Sequence, residues 1–358
     1  MRSLGMTGRA LLAAVAVMLV AACGSSPASG PDVGSGALTG AGSSFDGPLF
    51  SAAFFNYTEQ HPAVRVNYQP VGSGAGIQQF IKNTVDFGAS DVPMGSADIA
   101  SAGGAGSLVQ VPVTLGVVAI AYNLSGVDKL QLDGQTLTNI FLGDIKKWND
   151  PAIAALNPGV SLPSSSITVV HRTDGSGTTY IFTDYLAKVS PDWKTRVGTS
   201  KSVSWPTGTG AAQNTGVAQA ISSTAGAIGY VELAYAVQTQ MHTALLKNAN
   251  GKFVPATVAG ATAAAGQNTN VSATNFSIVN GPGDETYPIA GFSWVILRTS
   301  YTDAAKGKAV VYLFKWLVTD GQSSGSELQY APLPSGVQQL ALNDLKTIKA
   351  AGSTVLNS

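Results

Sequence analysis

Three short segments rich in glycine and hydroxyl side chains constrain the fold of this chain more than any other feature of its sequence. They are residues 42–45 (Gly-Ser-Ser-Phe), 72–74 (Gly-Ser-Gly) and 174–178 (Asp-Gly-Ser-Gly-Thr). Each follows a run typical of a strand and precedes apolar residues at helical spacing. The first N–H groups of a helix have no intrahelical partner and carry partial positive charge, so they can donate hydrogen bonds to an oxyanion. One such segment indicates only a capped helix, but three together favour a shared anion site over separate turns.

The rest of the sequence alternates between strand and helix patterns. Apolar residues recur at helical spacing over 50–57, and residues 64–68 alternate as a strand does. We expect the apolar stretch 108–124 to form two strands separated at Pro112, and residues 255–275 to lie at the periphery. Alternating strands and helices predict an α/β architecture with parallel sheets. Further strand patterns cover residues 85–89, 167–170, 226–231 and 292–297.

Composition excludes several classes of function. The 358 residues include 20 Lys+Arg and 20 Asp+Glu, and only 11% of the chain is charged, so we expect no nucleic-acid partner. The single cysteine, Cys23, rules out an intramolecular disulfide framework and a thiolate zinc cluster. With only 3 His the chain is also poorly supplied with imidazole groups. We expect no metal site and no cofactor. The length suits about two domains.

The beginning of the chain indicates export. Two arginines precede an apolar run at residues 10–22. This run is shorter than the roughly 20 residues of a membrane span and is typical of a signal peptide, which we assign to residues 1–22. The run ends in a sequence that resembles a bacterial lipobox, in which Cys23 would be lipidated and would hold the protein on the outer face of the cytoplasmic membrane. Simple cleavage after the two preceding alanines is the alternative. Residues 23–36 predict a flexible tether.

Three longer stretches resemble a known family. Residues 38–45, 83–91 and 172–178 look like the phosphate-binding proteins of high-affinity phosphate ABC transporters. The resemblance extends from about Leu38 to the last helical pattern of the chain. Shorter stretches that also resemble this family are residues 143–150, 156–159 and 226–232.

This resemblance implies a fold and a function. The fold would be a two-lobed periplasmic-binding-protein clamshell of type II, an α/β structure in which each lobe is a mostly parallel sheet flanked by helices. Residues 37–112 and 290–358 would form lobe I, and residues 113–289 would form lobe II. The protein would hold inorganic phosphate in the cleft between the lobes and deliver it to the permease subunits of a phosphate ABC transporter. We expect a monomer without catalytic residues.

The resemblance also assigns the phosphate contacts. They are Ser44, Phe45, Ser73 and Asp91 in lobe I, and Arg172, Ser176, Gly177 and Thr178 in lobe II. Phe45 and Gly177 would contribute backbone N–H groups. Asp174 would pair with Arg172, orient its guanidinium and partly neutralise it.

Two positions depart from the family's pattern. Ser44 stands where threonine is common, which keeps the hydroxyl but loses a methyl group that restricts χ1. Asp46 stands where proline is common. A carboxylate suits the first turn of a helix, but beside phosphate it would repel the ligand. We therefore expect Asp46 to point away from the cleft.

Asp91 provides the reason for choosing phosphate over sulfate. A carboxylate can face a bound anion when that anion still carries a proton to donate, as hydrogen phosphate does and sulfate does not. Sites built around such a donor can reject analogues that lack it by about 10⁴-fold. The alternative is that Asp91 only caps a turn after Ser90. Two other functions stay open at this point: a secreted phosphatase with Ser44 or Ser176 as nucleophile, and a phosphate-sensing or adhesion protein on the same fold.

Overall fold

The main β-sheet is mixed and contains nine strands within residues 31–268 and 270–356, which are the residues that the computed structural model describes. The predicted signal peptide at residues 1–22, the predicted lipidation site Cys23 and most of the predicted tether lie outside the described residues.

The strands and helices are numbered in chain order. The strands are β1 (Gly36–Gly42), β2 (Val64–Gln69), β3 (Phe87–Ser90), β4 (Leu108–Tyr122), β5 (Gln131–Leu132), β6 (Thr168–Arg172), β7 (Thr209–Ala211), β8 (Ala227–Glu232), β9 (His242–Thr243), β10 (Leu245–Lys247), β11 (Phe253–Val254), β12 (Ala290–Arg298), β13 (Ser300–Tyr301), β14 (Lys349–Ala350) and β15 (Ser353–Thr354). The helices are α1 (Gly47–Gln60), α2 (Ser73–Ile81), α3 (Ser96–Ser101), α4 (Gly134–Leu142), α5 (Pro151–Leu156), α6 (Gly177–Val189), α7 (Pro191–Arg196), α8 (Gln213–Ser223), α9 (Leu233–Gln238), α10 (Val258–Ala265), α11 (Ala304–Val318), α12 (Ser323–Ser326) and α13 (Ser335–Lys346). None of these helices is both long enough and apolar enough to span a membrane.

Two sets of parallel strands form the ends of the main sheet. The strand order is β2-β1-β3-β12-β4-β8-β6-β7, with β9 beside β4. β1 pairs in parallel with β2 and β3, and β6 pairs in parallel with β7 and β8. Between the two sets, β12 and β4 are antiparallel to each other and to their outer neighbours. We call β1–β3 with α1 and α2 the first half, and β6–β8 with α6, α8 and α9 the second half.

Strand β4 connects the two halves. Its residues 108–117 pair with β12, and its residues 118–122 pair with β8. The prediction of two strands separated at Pro112 is wrong, because the strand continues through the proline. The register with β12 shifts between Ser293 and Trp294, opposite Pro112, so a β-bulge accommodates a residue that cannot donate a ladder hydrogen bond. The predicted lobe boundaries, at 112/113 in β4 and at 289/290 before β12, stay a prediction.

Aromatic and small residues fill the core around the sheet. Phe54 of α1 packs edge-to-face against Phe87 and Phe314, with ring centroids 5.9 and 6.3 Å apart. The prediction that residues 255–275 are peripheral is wrong for α10, where Ala261 and Ala264 are fully buried. Helix α10 packs on β4 and β12, and its small side chains allow this close approach.

Candidate functional site

The three glycine-containing segments of the sequence meet at the carboxyl ends of the parallel strands. Residues 43–46 follow β1, Asp91 follows β3, and Arg172 and Glu232 end β6 and β8. Helices α1, α2, α6, α8 and α9 begin near these strand ends. In open α/β sheets this edge is where ligands bind, and helix N-termini direct N–H groups toward it.

The first segment is held against β3. Gly42 has φ +151°, and a Cβ atom there would lie 2.0 Å from the carbonyl oxygen of Ala89, so this close approach requires glycine. Ser43 donates its N–H to the same carbonyl at 2.9 Å, and its hydroxyl donates to Asp91 Oδ1 at 2.5 Å. The phenol of Tyr68 donates to the carbonyl of Ser43 at 2.7 Å. Ser43, which is absent from the predicted contacts, therefore orients Asp91.

Ser44 contacts the second half of the molecule. Its Oγ accepts hydrogen bonds from the backbone N–H of Asn214 at 3.2 Å and from the Asn214 amide at 3.0 Å. That amide also lies 3.2 Å from Thr178 Oγ1, and its oxygen accepts the N–H of Glu232 at 3.0 Å. The phenol of Tyr235 donates to the carbonyl of Ser44 at 2.6 Å. Asn214, at the beginning of α8, thus links two predicted contact residues.

Arg172 is paired with Asp174, as the family resemblance implies. Its Nε and Nη2 donate to the two carboxylate oxygens at 2.7 and 2.5 Å, and its Nη1 lies 3.4 Å from Thr178 Oγ1. The N–H of Gln213 donates to Asp174 Oδ1 at 3.0 Å. Burial opposes ionisation of Asp174, but the hydrogen bonds and charge of Arg172 outweigh it and hold the pKa of Asp174 below its ordinary value. Asp174 therefore fixes the orientation of the Arg172 guanidinium through two hydrogen bonds.

The second and third segments touch each other across the site. Ser73 Oγ accepts the N–H of Gly177 at 3.1 Å, and Gly74 donates its N–H to the carbonyl of Gly175 at 2.7 Å. A Cβ atom at Gly177 would lie 2.5 Å from Asp91 Oδ2 and 2.7 Å from Ser73 Oγ. The backbone of Gly177 therefore lies so close to Asp91 and Ser73 that a side chain at this position would clash with both.

Ser176 and Phe45 are placed at helix beginnings. Ser176 caps α6, because its Oγ accepts the N–H of Thr179 at 3.0 Å, and its hydroxyl hydrogen stays available to another acceptor. Phe45 is fully buried, and its carbonyl accepts the phenol of Tyr330 at 2.5 Å. The structure thus brings all eight predicted contact residues together in one buried cluster; their roles toward a ligand stay predictions. These residues are Ser44, Phe45, Ser73, Asp91, Arg172, Ser176, Gly177 and Thr178.

Asp91 has the surroundings of a binding residue. It is 2% exposed, and Oδ1 accepts hydrogen bonds from the hydroxyls of Ser43 at 2.5 Å and Ser293 at 3.0 Å. Burial raises the pKa of Asp91 to about 6, although these hydroxyls and the charge of Arg172 act in the opposite direction. The alternative that Asp91 only caps a turn after Ser90 is wrong, since its carboxylate contacts residues from other elements.

Asp46 does not point away from the cleft, so that prediction is wrong. Although it occupies the N-cap position of α1, its side chain makes no capping hydrogen bond. It is fully buried, and its Oδ2 lies 2.6 Å from Ser293 Oγ, which also contacts Asp91. Burial and the nearby charge of Asp91 raise the pKa of Asp46 well above its ordinary value.

Glu232 is a third fully buried carboxyl group near the site. Its Oε2 accepts the N–H of Ala234 at 2.8 Å, which caps α9, and lies 3.2 Å from the phenol of Tyr330. Burial raises the pKa of Glu232 well above its ordinary value, and the charges of Asp46 and Asp91 add to this effect. The pKa values of Asp46, Asp91 and Glu232 are therefore all raised, whereas that of Asp174 is lowered.

Sequence comparisons place the chain among known relatives. A family model for a PBP superfamily domain matches residues 25–315. The chain is 43% identical over 301 residues to the phosphate-binding protein PstS of Xylella fastidiosa (strain 9a5c), an alignment that covers 83% of this chain and 81% of that protein. It is 43% identical over 314 residues to the phosphate-binding protein PstS of Pasteurella multocida (strain Pm70), covering 87% and 90% of the two chains.

Solved structures share the fold. A high-affinity periplasmic phosphate-binding protein (PfluDING) bound with phosphate superposes with a TM-score of 0.69 at 22% identity, covering 87% of this chain and 99% of that one. A phosphate-binding protein from Stenotrophomonas maltophilia gives a TM-score of 0.66 at 20% identity, with 86% and 94% covered. The predicted two-lobed α/β fold and the predicted family are confirmed.

Proposed function

This chain belongs to the PstS phosphate-binding proteins of the PBP superfamily, and on that premise we propose that it binds inorganic phosphate at the carboxyl ends of its strands and delivers it to the permease of a phosphate ABC transporter. The observation that carries the proposal is the cluster around Asp91. The Asp91 carboxylate is buried there among hydroxyl groups, helix N-termini and a guanidinium already paired with Asp174. An anion that still carries a proton can donate a hydrogen bond to Asp91 while it accepts hydrogen bonds from the surrounding donors.

The predicted contact residues divide the binding between the two halves. Asp91 accepts the proton of hydrogen phosphate, while Arg172 supplies the positive charge. The remaining groups donate hydrogen bonds: the hydroxyls of Ser44, Ser73, Ser176 and Thr178, and the backbone N–H groups of Phe45 and Gly177. Hydrogen bonds to charged groups contribute roughly 1.5–3 kcal/mol each, so this set supports micromolar or tighter binding after the costs of desolvation and closure.

Phosphate enters and leaves by relative movement of the two lobes. We assign residues 37–112 and 290–358 to lobe I and residues 113–289 to lobe II. Contacts between the two halves, such as the N–H of Gly74 to the carbonyl of Gly175 at 2.7 Å, break when the lobes separate and form when they close. The permease recognises the closed, loaded monomer.

The protein acts outside the cytoplasm. Its predicted signal peptide, residues 1–22, directs export, and lipidation at Cys23 holds it on the outer face of the cytoplasmic membrane. The segment 23–36 lets the binding domain move relative to its membrane anchor, since chains rich in glycine and serine are flexible.

Catalysis is not favoured. The named relatives are phosphate-binding proteins. The two serines considered as nucleophiles have other partners: Ser44 Oγ accepts from Asn214, and Ser176 Oγ accepts from Thr179. Among the described residues, neither hydroxyl is hydrogen-bonded to an imidazole or a carboxylate that could act as its base.

Isothermal titration calorimetry with phosphate and sulfate tests the proposal. We expect phosphate to bind with a Kd of micromolar or less and sulfate to bind at least about 10³-fold more weakly. Equal affinities, or no heat of binding with phosphate, would refute it. Incubation with a chromogenic phosphate ester provides the control for catalysis, and we expect no turnover.

A further inference from the structure

Asp46, Ser293, Asp91 and Ser43 form an unbroken chain of polar contacts inside the site. Asp46 Oδ2 lies 2.6 Å from Ser293 Oγ, and the same Oγ lies 3.0 Å from Asp91 Oδ1. Asp91 Oδ1 in turn lies 2.5 Å from Ser43 Oγ. All four side chains are buried, with exposed fractions between 0% and 2%. The residues at the two ends of the Asp46–Ser293 contact are 247 positions apart in the sequence.

The number of hydrogens in this chain fixes its protonation. A serine hydroxyl has one hydrogen, so Ser293 can donate to Asp46 or to Asp91 but not to both. If both carboxyl groups were ionised, one of the two contacts would place oxygen lone pairs together without a hydrogen. A single added proton on either carboxyl group gives every contact one hydrogen.

The surroundings decide which carboxyl group carries the proton. Asp91 is stabilised as an anion by the hydroxyls of Ser43 and Ser293 and by the charge of Arg172. Asp46 has one hydrogen-bond contact, and its Oδ1 is buried without a partner among the described residues. An ionised carboxylate in such a position is costly, whereas the neutral acid is tolerated.

Among the titratable groups near Asp46, the charge of Asp91 after β3 adds to burial in raising the pKa of Asp46, and the hydrogen bond with Ser293 acts in the opposite direction. A negative charge on Asp46 would in turn raise the pKa of Glu232 at the end of β8 and of the phenols of Tyr68, Tyr235 and Tyr330. Arg172 acts on Asp91 and is engaged by Asp174. The direction of the pKa shift at Asp46, upward through burial and the charge of Asp91, agrees with the hydrogen count.

We propose that Asp46 is a proton-binding residue of the phosphate site and is neutral at neutral pH. Its carboxylic acid O–H donates a hydrogen bond to Ser293 Oγ, so that the Ser293 hydroxyl donates its own hydrogen bond to Asp91. This inference rests on the proposed function. Its consequence is that Asp91 alone carries the negative charge of this chain of contacts and is oriented to accept the proton of hydrogen phosphate. The proline-to-aspartate difference noted in the sequence thus adds a positioning residue without adding a charge that would repel the ligand.

Infrared difference spectroscopy of the ligand-free protein tests the protonation directly. At pH 7 we expect the spectrum of the unsubstituted protein minus that of Asp46→Asn to contain the carbonyl band of a protonated carboxylic acid. Asp144→Asn is the matched control, because the Asp144 side chain is 54% exposed and pairs with Arg196 at the surface; its difference spectrum should contain carboxylate bands instead. Carboxylate bands for Asp46 would overturn the proposal.

Calorimetry with phosphate supplies the second measurement. Asparagine keeps a neutral N–H donor toward Ser293, so we expect the Kd of Asp46→Asn to stay within about threefold of the unsubstituted value. Removal of an ionised carboxylate beside a bound anion would instead tighten binding by about tenfold or more, and a change of that size in either direction overturns the proposal. If the unsubstituted protein binds no phosphate, the proposed function fails while the infrared result still decides the state of Asp46.

Ser293→Ala is the variant to use if Asp46→Asn does not fold. It removes the Ser293 oxygen that accepts the proposed hydrogen bond from the Asp46 O–H, so we expect the carboxylic acid band in the infrared spectrum to shift. An unchanged band would show that the acid does not donate to Ser293 and would overturn the proposal.

Discussion

Replacing Asp91 by asparagine is the most informative change at the site. Asp91 Oδ1 accepts from Ser43 and Ser293 at 2.5 and 3.0 Å. An asparagine oxygen can keep both of these hydrogen bonds, so the side chain should retain its orientation. The substitution then exchanges a charged acceptor for an N–H donor at the position that faces the ligand.

The size of the effect follows from the hydrogen bond that is lost. A hydrogen bond to a buried charged group contributes roughly 1.5–3 kcal/mol, so phosphate binding should weaken by roughly 10- to 150-fold. Sulfate has no proton to donate and should gain, because the amide offers a hydrogen bond in place of a repelling carboxylate. A selectivity of about 10⁴ should therefore fall to roughly 10² or less.

Calorimetric titration of both anions into Asp91→Asn and into the unsubstituted protein measures this ratio. Asp144→Asn again serves as the control, since it makes the same chemical change at an exposed ion pair; its selectivity should be unaltered. Unchanged selectivity in Asp91→Asn would refute the role of Asp91 as the acceptor of the phosphate proton.

Three further variants test other parts of the account. Gly177→Ala places a Cβ atom 2.5 Å from the Asp91 carboxylate, so phosphate affinity should fall by at least about tenfold. Gly336→Ala is the control, because a Cβ atom there meets nothing within 4 Å, and it should bind phosphate normally. Equal Kd values for the two variants would contradict this prediction. Arg172→Lys loses the paired hydrogen bonds to Asp174 at 2.7 and 2.5 Å, so phosphate binding should weaken by roughly 10- to 100-fold. An unchanged Kd would show that phosphate binding does not require the two-bond pairing of residue 172 with Asp174. Burial raises the pKa of Asp344 from 3.8 to about 6. The folded state therefore holds an extra proton between these values, and stability should decrease as pH rises through this window. As pH rises through this window, the Tm of Asp344→Asn should increase relative to the Tm of the unsubstituted protein. A difference in Tm that does not change with pH would contradict the raised pKa of Asp344.

Local sequence signals were sufficient for the beginnings of α1, α2 and α6, but they did not indicate α8 or α9. Ser176 and the glycine after it predict the start of α6, and the structure gives Ser176 as its cap. This prediction succeeded because the interacting groups are neighbours in the chain, where the geometry of a helix cap is set by a few residues. The pairing of Arg172 with Asp174, which the structure contains, was expected from the family resemblance.

Long-range contacts were not predictable in this way. Ser44 meets Asn214 across 170 positions, and Asp46 meets Ser293 across 247. Nothing near Asn214 or Ser293 in the sequence distinguishes them from other polar residues. The expectation for Asp46 failed for a related reason: it assumed that the carboxyl group is charged, whereas its burial beside Asp91 favours the protonated acid.

The prediction of two strands around Pro112 failed because proline was given too much weight. Proline removes one donor from a ladder, but a register shift between Ser293 and Trp294 of the neighbouring strand absorbs the loss. Such a bulge depends on pairing with β12, and the sequence separation between Pro112 and Trp294 is similar to that of the other contacts that were not predicted.

A crystal structure of the protein grown with phosphate tests the central claim most directly. We predict a phosphate ion between the two halves, with one oxygen at a short distance of about 2.5–2.7 Å from the Asp91 carboxylate and others contacting Ser44, Arg172 and Thr178. Phosphate bound elsewhere, or bound at this site with Asp91 beyond hydrogen-bond distance, would contradict the account.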